Sequence, residues 1–184
     1  MGTVQAGAEQ VILVDRHDRR VGTAEKLSAH THPRLHRAFS IFVFNSQQSL
    51  LMQKRAEGKY HSAGLWSNTC CGHPRPGEPT RDAARRRLYE EMGFRTALRR
   101  ALRFQYNIPV GDGLSEHEYN HVFTGAFDGT PISNPAEVAD WRWIGLDEVV
   151  ADARTNPEKY TQWFPPALHE LLARRGEELS LMRV

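Results

Sequence analysis

Between Cys71 and Phe94 the chain reads CGHPRPGEPTRDAARRRLYEEMGF, and no other stretch narrows its fold as much. Pro74, Pro76, Gly77 and Pro79 keep the first part out of regular structure. From Thr80 to Met92 there is neither glycine nor proline. Thr80 is a candidate N-cap, Asp82 sits in the first turn where the helix dipole favours a carboxylate, and Gly93 is a C-cap stop. The spacing predicts a helix from about Arg81 to Met92 with Ala84, Leu88 and Met92 as its buried stripe. Arg86 and Glu90, and Arg87 and Glu91, stand four apart. By themselves they make surface ion pairs worth about 0.3 to 0.5 kcal/mol each.

A length of 184 residues, 40% of them hydrophobic and 25% charged, supplies one core and falls short of two ordinary domains, so residues 1–184 form a single domain. The longest apolar run, Phe39 to Phe44, is interrupted by Ser40 and is far below the roughly 18 residues of a membrane span. The opening MGTVQAGAEQ has no signal-peptide pattern, and the expectation is a cytoplasmic protein with no membrane partner. The two cysteines, Cys70 and Cys71, are adjacent, cannot staple distant segments, and are expected to be reduced thiols. A net charge of +2, with no basic run interleaved with aromatics, gives no footing for nucleic acid.

Around the helix the pattern is mostly strand. Val11–Asp15 and Val21–Thr23 flank a polar turn, and Ala24–Arg34, which ends in Pro33-Arg34, is expected to be a loop. Leu35–Asn45 and Leu50–Arg55 are predicted to pair as a hairpin, with a further strand over Leu65–Cys71. Thr96–Ile108 holds one or two strands before a turn at Pro109–Gly113. Glu116–Phe127 alternates with period two, placing Glu116, Glu118 and Asn120 on one face and His117, Tyr119 and His121 on the other. Trp141–Ile144 is a strand, and Leu146–Ala153 and Pro166–Arg175 are helices, the second closed by Gly176. Strand runs with a few helices argue for the α+β class.

Three imidazoles, His30, His36 and His73, together with Glu116 and Glu118, make a donor set for a six-coordinate transition metal, with His32 competing with His30. Of the two cysteines, only one can face a pocket, because adjacent strand residues point to opposite sides. Cys70 is read as apolar filling and Cys71 as the pocket residue. Zinc held by Cys71 and the histidines is an alternative that would occupy the thiolate.

Gly72, Glu78, Arg86, Glu90, Glu91 and Gly93 fall at G-x5-E-x7-R-x3-EE-x-G, with Leu88 and Phe94 at the hydrophobic positions. This resembles the Nudix box, a loop-helix-loop that holds a divalent cation against a diphosphate. The resemblance implies a Nudix α/β/α sandwich with a mixed sheet and a core over residues 30–165. It departs at one position: Nudix hydrolases carry a glutamate where this chain has Arg87. Further phrases, GTAEK at Gly22–Lys26, HRAFS at His36–Ser40, KYHSAGLWSNTCCGHPRPGE at Lys59–Glu78 and EHE at Glu116–Glu118, resemble the type 1 isopentenyl-diphosphate delta-isomerases from about Gly22 to Trp163.

That resemblance implies a metal at His30, His36, His73, Glu116 and Glu118, filled by Mn2+, Mg2+ or Zn2+, and a Mg2+ ion on the substrate diphosphate contacted by Glu91. It implies diphosphate contacts from Lys26, Arg55, Lys59 and Arg87, proton transfer by Cys71 and Glu118 with Tyr106 as relay, and a cation-π wall from Trp163, with Trp66 as a second candidate wall. An arginine fork binds phosphate oxygens and cannot act as a base, so Arg87 suits an enzyme that binds diphosphate without cleaving it. The expected partner is a small diphosphate and the expected state a monomer or weak homodimer. The rival readings are a Nudix pyrophosphohydrolase and a non-enzymatic diphosphate sensor.

Overall fold

The computed structural model describes the backbone of residues 9–181 and the side chains of residues 9–174. It is built on strand β3 (His36–Phe44), whose residues from Ala38 onward are all buried, as suits a strand covered on both faces. One edge of β3 pairs in parallel with β8 (Leu114–Ala126), from His36 opposite Glu118 to Phe44 opposite Ala126. Three strands share the other edge in succession. These are β1 (Gln10–Val14) at His36, β6 (Cys70–Gly72) opposite Phe39 to Ile41, and β4 (Leu50–Arg55) at Phe44. Strand β2 (Arg20–Glu25) pairs with β1, β7 (Arg99–Gly111) with β8, and β9 (Val138–Ile144) with β4.

Alternation along β3 divides the core in two. Phe39, Ile41 and Val43 pack with Ala83, Ala84, Leu88 and Met92 of α2 (Thr80–Met92). Phe42 and Phe44 pack with Val149 and Ala153 of α3 (Leu146–Thr155) and with Phe164, Leu168 and Leu171 of α4 (Phe164–Leu181). Each such large side chain contributes about 1.5 to 3 kcal/mol on burial. A mixed sheet with helices on both faces is the expected α/β/α sandwich. Among the described residues no helix is long and apolar enough to cross a membrane.

Local expectations fail where a tertiary contact decides the outcome. Ala24–Arg34 is not a loop: β2 continues to Glu25 and is followed by helix α1 (Lys26–Thr31). Pro33 acts only beyond it, on His32, which has left helical geometry at φ −116° and ψ 87°. The strand expected over Leu65–Cys71 is two, β5 (Trp66–Ser67) on β4 and β6 on β3. They are split because the β3–β4 hairpin closes at Phe44 and Leu50 only and then diverges. The chain crosses that gap at Asn68 and Thr69, whose side chains replace the missing ladder. Thr69 Oγ1 accepts from the Val43 N–H at 2.9 Å and donates to the Leu51 carbonyl at 2.6 Å. Asn68 Nδ2 donates to the carbonyls of Ile41 at 3.1 Å and Cys70 at 2.9 Å.

Other boundaries also move. Pro79, not Thr80, occupies the N-cap of α2, without a side-chain hydrogen bond. Strand β7 runs through Pro109, opposite Ser115, because among the described residues β7 pairs only with β8 and its outer edge needs no N–H. The turn shrinks to Asp112 and Gly113, both at positive φ, as a two-residue hairpin requires. Strand β9 starts at Val138 rather than Trp141, carried by its pairing with Arg55. Helix α4 starts at Phe164, with Pro165 and Pro166 in the first turn, where an N–H is not needed. It passes Gly176, because a glycine weakens a helix by about 1 kcal/mol without ending it.

Candidate active site

The face of β3 that carries Phe42 and Phe44 carries Ser40 and His36 toward its other end. Strand register sets Cys71 of β6 beside Ser40 and Glu118 of β8 beside His36. Glu116, Glu118 and Asn120 are buried on that side, while His121 turns to the far side and meets Asp18 at 2.9 Å. Above this floor lies a cavity of about 290 Å³, walled by Lys26, by Lys59 to His61 of the β4–β5 loop, by Arg87 and Glu91 of α2, and by Arg55, Glu137 and Trp163.

His30, His36, His73 and Glu116 bring one ligand atom each to within 4.8 Å of one another. Helix α1 supplies His30, which is buried, and leaves His32 exposed at its end, so the choice between them falls on His30. His30 Nδ1–H donates to the Lys26 carbonyl at 2.6 Å and His36 Nδ1–H to the Arg34 carbonyl at 2.8 Å. A carbonyl only accepts, so each ring commits Nδ1 outward and turns Nε2 into the cluster, the nitrogen that a metal would take, as in metal-ligating histidines. There His36 Nε2 lies 3.2 Å from His73 Nε2, His30 Nε2 lies 2.8 Å from Glu116 Oε2, and His73 Nε2 lies 3.0 Å from Glu118 Oε1. Ligand atoms converging at these separations fit a shared divalent cation. Burial pushes His36 down to about 4, which keeps the ring neutral, the form a metal would take. Burial also opposes ionisation of Glu116, but hydrogen bonding from His30 and His61 outweighs it and holds the carboxyl well below the usual range.

Glu118 borders this cluster, 3.9 Å from His36 Nε2, and also faces the cavity. Tyr106 O–H donates to its Oε2, and Asn120 Nδ2 donates to the same oxygen at 3.1 Å. Burial and then the neighbouring Glu116 charge push its carboxyl well above the usual range. Cys71 Sγ donates to Asn68 Oδ1 at 3.1 Å and lies 3.8 Å from Ser40 Oγ. Burial pushes this thiol up to about 12, so it is protonated at neutral pH. Cys70, one residue away, points into the α2 core. Cys71 is absent from the ligand cluster, against the zinc alternative in which it would bind with the histidines.

The expected diphosphate-binding cations line the cavity, and most already hold a carboxylate. Lys26 pairs with Glu9 at 3.0 Å and Lys59 with Glu137; Arg87 reaches Glu90 at 2.8 Å, Glu91 at 2.5 Å and Glu137 at 3.1 Å. Arg55 donates instead to the carbonyls of Ser62 and His61, with its guanidinium 5.3 Å from the Trp163 ring centre. Glu91 stands apart from the histidines, on the α2 side, and accepts from Gln53 Nε2 at 2.9 Å. Gly72 lets α2 close on this floor: a Cβ there would sit 3.0 Å from Phe39 and 3.5 Å from the Arg87 stem.

Trp163 lines the cavity, but Trp66 does not; it packs in the α3–α4 core with Arg142 over its ring. Residues not singled out from sequence also reach the site: His61, Glu137, Gln53, Asn68 and Asn120. Only Asn120 carried a usable signal, through its alternation with Glu116 and Glu118. His61, Glu137 and Gln53 act through contacts far away in the chain, and Asn68 through Cys71, three residues on.

Residues 34–164 match the NUDIX domain family. Over 168 residues the chain is 54% identical to an isopentenyl-diphosphate Delta-isomerase 2 of Aromatoleum aromaticum, covering 91% of this chain and 89% of that protein. It is 48% identical to an isopentenyl-diphosphate Delta-isomerase of Serratia proteamaculans, covering 92% and 94%, and 51% identical to one of Burkholderia multivorans, covering 91% and 93%. Among solved structures, a Deinococcus radiodurans protein superposes with a TM-score of 0.75 at 20% identity, covering 89% of this chain and 99% of that one. A MutT protein of Methanosarcina mazei gives a TM-score of 0.64 at 16% identity, covering 77% and 95%, a likeness of fold alone.

Proposed function

The chain belongs to the isopentenyl-diphosphate Delta-isomerase family of NUDIX-domain proteins, and on that premise we propose that its cavity interconverts isopentenyl and dimethylallyl diphosphate in isoprenoid biosynthesis. The reaction adds a proton to the terminal methylene carbon, passes through a tertiary carbocation-like state, and removes a proton from C2. It needs two acid–base groups beside a carbon skeleton that water does not reach. The observation that carries the reading is that Cys71 and Glu118, from strands on opposite edges of β3, both open into one cavity that Lys26, Arg55, Lys59 and Arg87 also line.

In this reading Cys71 and Glu118 exchange protons with the substrate, and Tyr106 relays to Glu118 through their hydrogen bond. Such groups typically contribute about 10² to 10⁴ each in rate. Trp163, buried and facing the cavity, stabilises the cationic carbon by about 2 kcal/mol once water is excluded. Lys26, Arg55, Lys59 and Arg87 hold diphosphate oxygens, and Glu91 faces the Mg2+ that accompanies them. His30, His36, His73, Glu116 and Glu118 would hold a second divalent ion, Mn2+, Mg2+ or Zn2+. When bound, that ion supplies positive charge that favours the ionised form of the neighbouring carboxylates. Arg87 stands where a hydrolase has a glutamate and supplies no base to activate water. The reading is completed by one domain acting in the cytoplasm on a small diphosphate, as a monomer or weak homodimer, without nucleic acid or membrane.

Incubation with isopentenyl diphosphate and Mg2+ should yield dimethylallyl diphosphate without releasing inorganic phosphate. Phosphate release in place of isomerisation would instead identify a pyrophosphohydrolase.

A further inference from the structure

His61 belongs to none of the roles above, yet it is buried against the metal cluster. Its Nε2 lies 3.3 Å from Glu116 Oε1, while Glu116 Oε2 turns to His30 at 2.8 Å. The two oxygens of one buried carboxylate are thus divided between the cluster and this ring. The ring itself is fixed from several sides. It meets Trp163 edge-on at 5.6 Å between centres and Tyr60 at 4.4 Å, the Ser62 hydroxyl lies 3.2 Å from Nδ1, and its backbone carbonyl accepts from Arg55 at 3.0 Å. Ser62, next in the chain, is at φ 51°, a left-handed conformation that serine rarely adopts and that sets the loop's course here.

We propose that His61 is a positioning residue for the metal site: its Nε2–H engages Glu116 Oε1 so that Oε2 alone is presented to the ion. The terminal torsion of a glutamate is broad and roughly two-fold, so nothing intrinsic to Glu116 fixes which oxygen faces inward. His61 fixes it, and through the Trp163 contact it ties ligand geometry to the cavity wall. The inference rests on the metal reading of the histidine cluster, and the test separates the two.

The probe is Mn2+ alone, titrated into wild type, His61→Phe and His61→Gln, with free ion followed by its electron paramagnetic resonance signal and folding by circular dichroism. Phenylalanine keeps a ring against Trp163 and Tyr60 but has no N–H, whereas glutamine keeps a donor near the Nε2 position. His61→Phe should raise the Mn2+ Kd about 10- to 100-fold, the usual effect of losing a partner that orients a ligand, and His61→Gln should stay within about threefold of wild type. Should the phenylalanine variant misfold, His61→Ala takes its place with the same expectation. A donor-less variant within about twofold of wild type, or a glutamine variant as weak as phenylalanine, overturns the proposal. Wild type that retains no Mn2+ would overturn the metal site itself, and this inference with it.

Discussion

Cys70 and Cys71 are chemically identical neighbours with opposite fates, because one strand position separates the α2 core from the cavity. Cys71→Ala should therefore remove turnover, by at least the 10² to 10⁴ expected of an acid–base group, while Cys70→Ala keeps most activity and loses about 1 kcal/mol of stability. Steady-state rates and urea melts of the two variants check both halves; comparable turnover in the two would remove Cys71 from the mechanism. Arg87→Ala should raise KM for the diphosphate about 10- to 100-fold, corresponding to a charge-assisted hydrogen bond of about 1.5 to 3 kcal/mol. An unchanged KM would leave Arg87 an internal ion-pair partner of Glu90, Glu91 and Glu137 only. Both residues were legible in the sequence, Cys71 through strand alternation and Arg87 as the one departure from a recognised spacing. His61 was not. A lone histidine in a polar loop has no period, and its partners Glu116 and Trp163 arrive from distant strands and loops.

At the scale of elements, α2 was legible because its signals are local: prolines before it, an apolar stripe along it and Gly93 after it. Gly93 sits at φ 74°, and a Cβ there would lie 2.2 Å from the Ile132 carbonyl oxygen. Gly93→Ala should cost well over 1 kcal/mol of stability, measurable by thermal melting, since both backbone strain and a steric clash oppose it. Helix α1 and the break between β5 and β6 were not legible, because neither is set by its own residues. Helix α1 is a six-residue helix, too short to persist alone, and it is held by the sheet that buries Ala29 and His30. The break follows from the divergence of β3 and β4, which no local pattern announces. Thr69→Val should unmask this design. It leaves the Val43 N–H and Leu51 carbonyl unpaired in the core, at about 1 to 3 kcal/mol for each stranded group. A melt unchanged from wild type would mean that the gap between the strands needs no such bridge.

For the whole molecule, stability should depend on pH through His121, which is buried against Asp18 on the face of β8 away from the cavity. Burial pushes it from 6.5 down to about 4, so the unfolded chain takes up a proton that the folded chain refuses. This contribution is complete above pH 6.5, is lost as the pH falls toward 4 and levels off below it, a total of about 3 kcal/mol. Urea titrations at neutral and acid pH should show that loss, and His121→Gln should flatten it.

On the proposed reading the molecule as a whole is a sandwich whose helix α2 would grip the diphosphate while the chemistry sits on the strands beside it. The most direct test is turnover of isopentenyl diphosphate in D2O. Wild type should give dimethylallyl diphosphate carrying deuterium in a methyl group with the diphosphate intact, and Cys71→Ala and Glu118→Gln should not. Phosphate release without deuterated product, or deuterated product from both variants at the wild-type rate, would contradict proton transfer between Cys71 and Glu118 across a cavity that spares the diphosphate.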